Sequence, residues 1–257
     1  MDLEHGTIDG DVARAFEANA VAFASIAAPM GGATARADGM TLVATGSPLA
    51  FFNQAIASRH LSDPPAAIEA ATAFFEPRVP AYCLMIVGDD RAAIAAAEAS
   101  GFAARDSIPL MMLAPDELVA PAPPPELEIR PAADLSFVDL FGVGFVDDVG
   151  ARGPFHDVVR AAAAVDGWDL FGGFVDGEGV ATSAAFTLDG CTGVFTVGTS
   201  PAARGRGIGA AMTVAAVGAG RARGSDTVFL FASAMGFPIY RRLGFRTVSS
   251  HRYIAQT

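Results

Sequence analysis

Residues 197–220 read VGTSPAARGRGIGAAMTVAAVGAG, and this stretch decides the fold. A strand ends near Val197, Pro201 breaks it, and RGRGIG (204–209) opens a helix. Ile208, Met212, Ala215, Ala216 and Ala219 fall along one face of that helix, mostly small enough to pack closely on a sheet. Glycines 205, 207 and 209 leave backbone N–H groups bare at the helix start. The macrodipole is positive there and several donors are unpaired, which suits a phosphate or pyrophosphate. Three readings compete. A Rossmann dinucleotide loop matches G-x-G-x-x-A at Gly205, Gly207 and Ala210, but it needs its glycines directly after a parallel strand. Here residues 197–204 intervene, and the next strand ends in Phe231 rather than an acid. A flexible glycine turn before a core helix is the second reading. A phosphate cradle of another architecture is the third, and it is favoured.

Upstream, three apolar runs cover 168–175, 179–188 and 191–197, separated by Asp176-Gly177 and Asp189-Gly190. Asp-Gly between strand-like runs is a strong hairpin signal, so an antiparallel meander leads into the glycine loop. Before it, ELEIRP (126–131) reads as a strand and Asp134 as the cap of a helix through LSFVDLFGVGF. Pro154 suits the first turn of a further helix. Downstream come a strand (227–231), a short helix (236–243), Gly244-Phe245 and a closing strand (252–255). The first half ends alike: a strand (82–87), an Asp-capped helix (89–100), Gly101-Phe102 and a strand (108–113). Glycine fits the left-handed position after a helix, and the Phe folds back onto the core. Two such units in matching places indicate an internal duplication. Between the halves, APDELVAPAPPPE (114–126) holds five prolines in thirteen positions. It can join neither a central strand nor a helix, and it divides the chain into 1–114, a linker 115–125, and 126–257.

Two motifs together carry a resemblance. Arg204-x-x-Gly207-x-Gly209, preceded by Val197-x-Thr199-x-Pro201, resembles the acyl-coenzyme A pyrophosphate motif of the GCN5-related N-acetyltransferase (GNAT) family. Tyr240-Arg241-Arg242-Leu243-Gly244-Phe245 resembles that family's later Tyr-x-x-x-Gly-Phe motif. The resemblance covers 126–257, and the first half is similar to the degenerate, non-catalytic copy of two-domain members. It implies an α/β (α+β) chain of two GNAT-like domains, each a mixed, mostly antiparallel twisted sheet flanked by helices. It implies acetyl-coenzyme A, or another acyl-coenzyme A, as co-substrate and a primary amine of a small molecule as acceptor. On the matching positions, the backbone of Val197, Gly198 and Thr199 would hold the pantetheine, with the Val197 N–H polarising the acyl carbonyl. The amides of Gly205, Arg206, Gly207, Ile208 and Gly209 would hold the pyrophosphate, with Arg204 and Arg206 adding charge. Tyr240 would be the general acid toward the departing thiolate, and Ser233 would touch the cofactor where the family often has Asn. Thr199 departs from the usual apolar residue. In the first half, Asp63 and Pro64 make an ordinary helix start without glycines, so one active site per chain is expected. The general base has no motif. Asp147, Asp148, His156 and Asp189 are candidates, each also a plausible loop or cap residue. Trp168 reads as core or sheet face rather than a substrate platform.

Composition narrows the alternatives. The chain has 257 residues, 28 acidic and 17 basic, for a net charge of −11, which argues against nucleic-acid or membrane-surface binding. Every basic residue is arginine, which excludes a Walker-type loop and Schiff-base chemistry. Yet 204–257 holds eight arginines against the single acid Asp226, a basic segment suited to a polyphosphate ligand. The acidic remainder favours a cationic acceptor. Cys83 and Cys191 form no framework, the first residues lack a signal-peptide pattern, and uncharged stretches are interrupted by Pro, Gly, Asn or Gln. A soluble, cytoplasmic protein is expected. His5, His60 and His251 lack metal-ligand spacing, so no metal is expected. Two other functions remain open: a coenzyme A-binding protein without turnover, and a dinucleotide-binding oxidoreductase.

Overall fold

The computed structural model of the chain describes residues 9–88, 90–132, 138–141 and 149–256. In the first half, helix α1 (Gly10–Ala27) precedes strands β1 (Ala33–Ala37), β2 (Met40–Ala44) and β3 (Gln54–Ala57). Helix α2 (Pro64–Phe75), β4 (Cys83–Val87), α3 (Arg91–Ala99) and β5 (Phe102–Leu113) follow. The second half opens with β6 (Leu127–Pro131). It then repeats the same series as α4 (Val149–Ala163), β7 (Trp168–Val175), β8 (Glu178–Leu188), β9 (Cys191–Thr199), α5 (Ile208–Ala222), β10 (Thr227–Phe231), α6 (Phe237–Arg242) and β11 (Arg246–Gln256). The duplication legible at the two ends therefore runs through both halves.

The eleven strands among the described residues form one sheet, in the order β1-β2-β3-β4-β11-β5-β10-β9-β8-β7-β6. Of these pairings only β3/β4 and β9/β10 are parallel, and they occupy equivalent places in the two halves. The two halves exchange their last strands. β5 pairs with β10 of the second half, β11 pairs with β4 of the first, and β5 and β11 pair with each other. Neither half-sheet is complete without the other chain segment, so the two sheets are fused across the proline-rich segment. Pro109 is tolerated inside β5 because its neighbour β10 stops at Phe231, opposite Leu110, so no ladder N–H is needed there.

Two layers of helices cover the sheet. Helices α2 and α3 pack on Leu84, Ile86 and Ile254, and α5 and α6 on Met111, Val228 and Leu230 of the same face. On the other face α1 crosses Met85, Leu110, Met112 and Phe229, and its far end meets α4. The hairpins predicted at Asp176-Gly177 and Asp189-Gly190 are present, with all four residues at positive φ, and Asp38-Gly39 makes the same turn between β1 and β2. Gly101 and Gly244 end α3 and α6 at φ +85° and +99°, with Phe102 and Phe245 buried behind them.

Some boundaries differ from expectation. α4 starts at Val149, so Pro154 lies inside it rather than in its first turn; the helix gives up one i→i−4 hydrogen bond there and accommodates the ring, while the residues ahead of it still coil. The segment expected as a helix after Asp134 falls largely outside the described residues, with a 3-10 turn at Val138–Leu140. On α5 the buried face is Ile208, Ala211, Met212, Thr213, Ala216, Val217 and Gly220, while Ala215 and Ala219 are half-exposed. Gly220 explains the rotation: a Cβ there would collide with Thr192 Oγ1, so its absence lets α5 close onto β9.

Candidate functional site

The site begins where β9 and β10 part. They pair only through Thr227–Cys191, Val228–Thr192 and Phe229–Gly193, after which β9 runs on to Thr199 without β10. Gly193 permits the close approach, since a Cβ there would meet the Phe195 and Phe229 rings at 2.6 and 2.8 Å. Beyond it β9 bulges: the β8/β9 register slips between Thr182 and Ala184, and Thr196 takes φ +48°. Such a conformation is an outlier for a β-branched residue, and bulges bend a strand away from its neighbour. The result is a gap between two parallel strands that ends at Val197, Gly198 and Thr199.

From that gap the chain turns through Pro201–Ala203 into the glycine loop. Gly205 and Gly207 have φ +79° and +80°, and Gly207 caps α5. A Cβ on Gly205 would meet nothing within 4 Å, so this surface is open. Among the described residues, no hydrogen bond is donated by the N–H groups of Gly205, Arg206, Gly207, Ile208 or Gly209. Bare donors at the positive end of a long helix make an anion site. Arg204 folds back to donate to the Thr199 carbonyl at 3.1 Å. Arg206 is held by Glu126 at 2.7 Å, and that pairing lowers the Glu126 pKa.

The first half lacks both features. β3 and β4 pair along the whole of Gln54–Ala57, which leaves no gap. The start of α2 is covered by carboxylates: Asp63 accepts from the Ala66 N–H, and Asp38 accepts from the Asp63 N–H. An anion would meet negative charge there.

On the far side of the β9 bulge from α5 lies a cavity of about 140 Å³. β7, β8 and β9 form its floor with Trp168, Leu170, Ala184, Phe195 and Thr196. Helix α4 walls it with Phe155, Val158, Val159 and Ala162, and the first half closes it with Phe23, Ile26, Phe51 and Phe52.

A family model described as "Acetyltransferase (GNAT) domain" matches residues 137–248. Residues 137–248 are a GNAT domain. Solved structures extend the likeness to the whole chain. A GCN5-related N-acetyltransferase from Kribbella flavida aligns at 21% identity over 96% of both chains, with a TM-score of 0.70. A GCN5-related N-acetyltransferase from Sphaerobacter thermophilus aligns at 16% over 95% of this chain and 93% of its own, with a TM-score of 0.59. A tandem GNAT protein from the clavulanic acid biosynthesis pathway aligns at 13% over 97% and 96%, also with a TM-score of 0.59. The fold is thus that of tandem GNAT proteins. No curated protein sequence matches the chain.

Within the GNAT domain, Tyr240 sits on α6 among Val197, Ala210 and Leu243, 8% exposed. Its ring lies edge-on to Phe245, and Gly236 makes room for it, since a Cβ there would be 2.6 Å from the ring. Burial pushes its pKa up to about 12, so the phenol is a protonated donor across the neutral range. Ser233 is exposed just before α6, where its hydroxyl oxygen accepts from the Gly236 N–H at 3.1 Å and its carbonyl from the Phe237 N–H, leaving its O–H able to donate.

The candidate bases separate. Asp147 and Asp148 lie outside the described residues, as does His5. Asp189 is in the turn at the start of β9, about 25 Å along the strand from its Val197 end. His156 has both ring nitrogens engaged, with the Phe141 carbonyl at 3.0 Å and the Asp139 carboxylate at 3.3 Å. Trp168, expected as core or sheet face, is a wall of the cavity and donates to Ser25 at 3.0 Å. Thr196 and the phenylalanines at 51 and 52 were not legible as site residues. Thr196 has no motif, and those phenylalanines come from the other half of the chain. Of the basic segment, Arg223 pairs with Asp166 and Asp169, and Arg246 with Glu117. Acids from elsewhere therefore neutralise part of it. Among the described residues no helix is long and apolar enough to cross a membrane, and no three His, Cys, Asp or Glu side chains cluster.

Proposed function

We propose that the chain is an acyl-coenzyme A-dependent N-acyltransferase that moves an acetyl group onto the primary amine of a small molecule by direct attack. Residues 126–257 would be catalytic, 115–125 a linker, and 1–114 a degenerate, non-catalytic copy. The observation that carries the reading is the continuity of a strand gap with a bare, glycine-lined helix start, present in one half only. The open surface at Gly205 and the unpaired N–H groups of 205–209 fit a pyrophosphate. The backbone of Val197–Thr199 fits a pantetheine arm, with the Val197 N–H as donor to the acyl oxygen. When bound, the acyl thioester supplies the electrophilic carbonyl and the leaving thiolate. Tyr240, neutral and desolvated, then donates a hydrogen bond and a proton toward the sulfur. Its alternative role is purely packing at the end of α6. Ser233 would touch the cofactor through its hydroxyl, whose O–H still donates while its oxygen accepts from the Gly236 N–H. Cys83 and Cys191, both buried and not joined in a disulfide, suit a reducing cytoplasm.

One observation favours a second reading, a coenzyme A-binding protein without turnover: the described cavity residues include no carboxylate or imidazole to act as base. Calorimetry with acetyl-coenzyme A, followed by thiol release over an amine panel, decides. Saturable binding with amine-stimulated release supports the enzyme. Tight binding with no stimulated release supports the binding protein, and binding of NAD(P)H but not acetyl-coenzyme A overturns both.

A further inference from the structure

The cavity behind the β9 bulge differs in chemistry from the loop that faces it. Its described lining is aliphatic and aromatic apart from the Thr196 hydroxyl, the Trp168 N–H being already spent on Ser25. Phe51, 51% exposed, marks its mouth, and Trp168 and Phe195 pack 5.3 Å apart in its floor. Thr196 Oγ1 is buried without a hydrogen-bond partner, on a residue held at φ +48° at the edge of the strand gap. A buried hydroxyl left unpaired and a strained backbone are each unfavourable. Both are concentrated where acyl transfer would occur. An apolar cavity of about 150 Å³ is known to hold benzene, which sets the scale of what this one accepts.

We propose that the acceptor carries its primary amine on a benzene-sized apolar group that fills this cavity, with the Thr196 hydroxyl hydrogen-bonded to the amine. The inference rests on the acyltransferase reading above. The cavity lies on the sheet face opposite α5 and reaches the strand gap at Thr196, so an amine seated there would meet a thioester carbonyl held at Val197 from the side away from the departing coenzyme. The nitrogen forms the C–N bond as the C–S bond breaks, and the proton the nitrogen sheds balances the one the sulfur gains. The described walls also address the missing base. A cationic amine loses its hydration on entering, which favours the neutral nucleophile, and the proton leaves to water. Among the described residues, neighbouring charges do not oppose this. Arg14 and Glu17 on α1 pair with Asp226 and Arg36; Asp169 on β7 pairs with Arg223; His156 and Arg160 on α4 are held by Asp139 and Asp157. The cationic acceptor favoured by overall charge finds no carboxylate among the described lining, so a second positive charge would be unpaired there.

Trp168 is the chain's single tryptophan, so its fluorescence reports filling of the cavity without any turnover. The full chain is titrated with benzylamine, ethanolamine and spermidine, and thiol release from acetyl-coenzyme A is measured with each. Benzylamine is expected to change the fluorescence saturably and to exceed the two polar amines in kcat/KM by at least tenfold. Ala184→Leu, which puts a side chain into the cavity, should abolish the fluorescence response while acetyl-coenzyme A still binds calorimetrically. Thr196→Val should lower kcat with benzylamine more than it weakens benzylamine binding. Turnover of ethanolamine or spermidine without a benzylamine response overturns this inference and leaves the acyltransferase reading intact. A benzylamine response without acetyl-coenzyme A binding does the reverse. If hexanoyl-coenzyme A outperforms acetyl-coenzyme A and competes with benzylamine, the cavity holds the acyl chain and the inference fails.

Discussion

Stability in mild acid should depend on one residue, His251. It lies on β11 at the centre of the fused sheet, 3% exposed, with its ring edge-on to Phe16 and Phe231 and its Nδ1 unpartnered. β11 pairs it with Val87 and Ile108, so apolar side chains surround it. Burial holds its pKa down at about 3, against 6.5 in the open chain. The folded state thus binds fewer protons than the unfolded state between these values, and stability falls as pH falls through that window. Each unit of difference corresponds to about 1.4 kcal/mol, so the full window is worth about 5 kcal/mol and the step from pH 7 to pH 5 about 2 kcal/mol. Replacing His251 with Phe removes the titrating group and the unpartnered nitrogen while keeping an aromatic edge. Urea unfolding, followed by Trp168 fluorescence at pH 7, 6 and 5, measures both proteins. The variant should be at least as stable at pH 7, and its advantage should grow by about 2 kcal/mol at pH 5. Parallel stability curves for the two proteins over this range would refute the reasoning, because carboxylates common to both cannot produce a difference.

Three further outcomes are expected. Gly207→Ala places a side chain at φ +80° with space around it, so it should cost about 1–2 kcal/mol in unfolding free energy while weakening acetyl-coenzyme A binding more than tenfold by calorimetry. Tyr240→Phe keeps the packing on Phe245 and should lower turnover about 10²–10⁴-fold, with coenzyme affinity and Tm little changed; equal loss of affinity and turnover would assign the residue to packing. Glu126→Gln releases Arg206 toward the glycine loop and should tighten coenzyme A binding modestly at low salt, the gain vanishing at high salt.

Much of the architecture was legible because it rests on local chemistry. Asp-Gly must turn with positive φ, so the β7–β8–β9 meander followed from two dipeptides. Gly101 and Gly244 had to end helices, and the glycines at 205 and 207 had to leave donors bare, whatever surrounded them. The strand exchange was not legible, since the tails of both halves have the same pattern and periodicity does not name a strand's partner. The partners of Arg206 and Ser233, Glu126 and the start of α6, were not legible because they are set by how the loops close.

The site divides the same way. By itself the sequence determined the bare, glycine-lined helix start, the strand before it and the helix bearing Tyr240, each a matter of residues near one another in the chain. Only the tertiary structure decided that β9 leaves β10 at Gly193, that β3 and β4 stay closed, and that both halves share a cavity. That cavity joins Phe23 and Phe51 to Trp168 and Thr196, residues far apart in sequence, and no local rule specifies what a folded chain brings together across a sheet face.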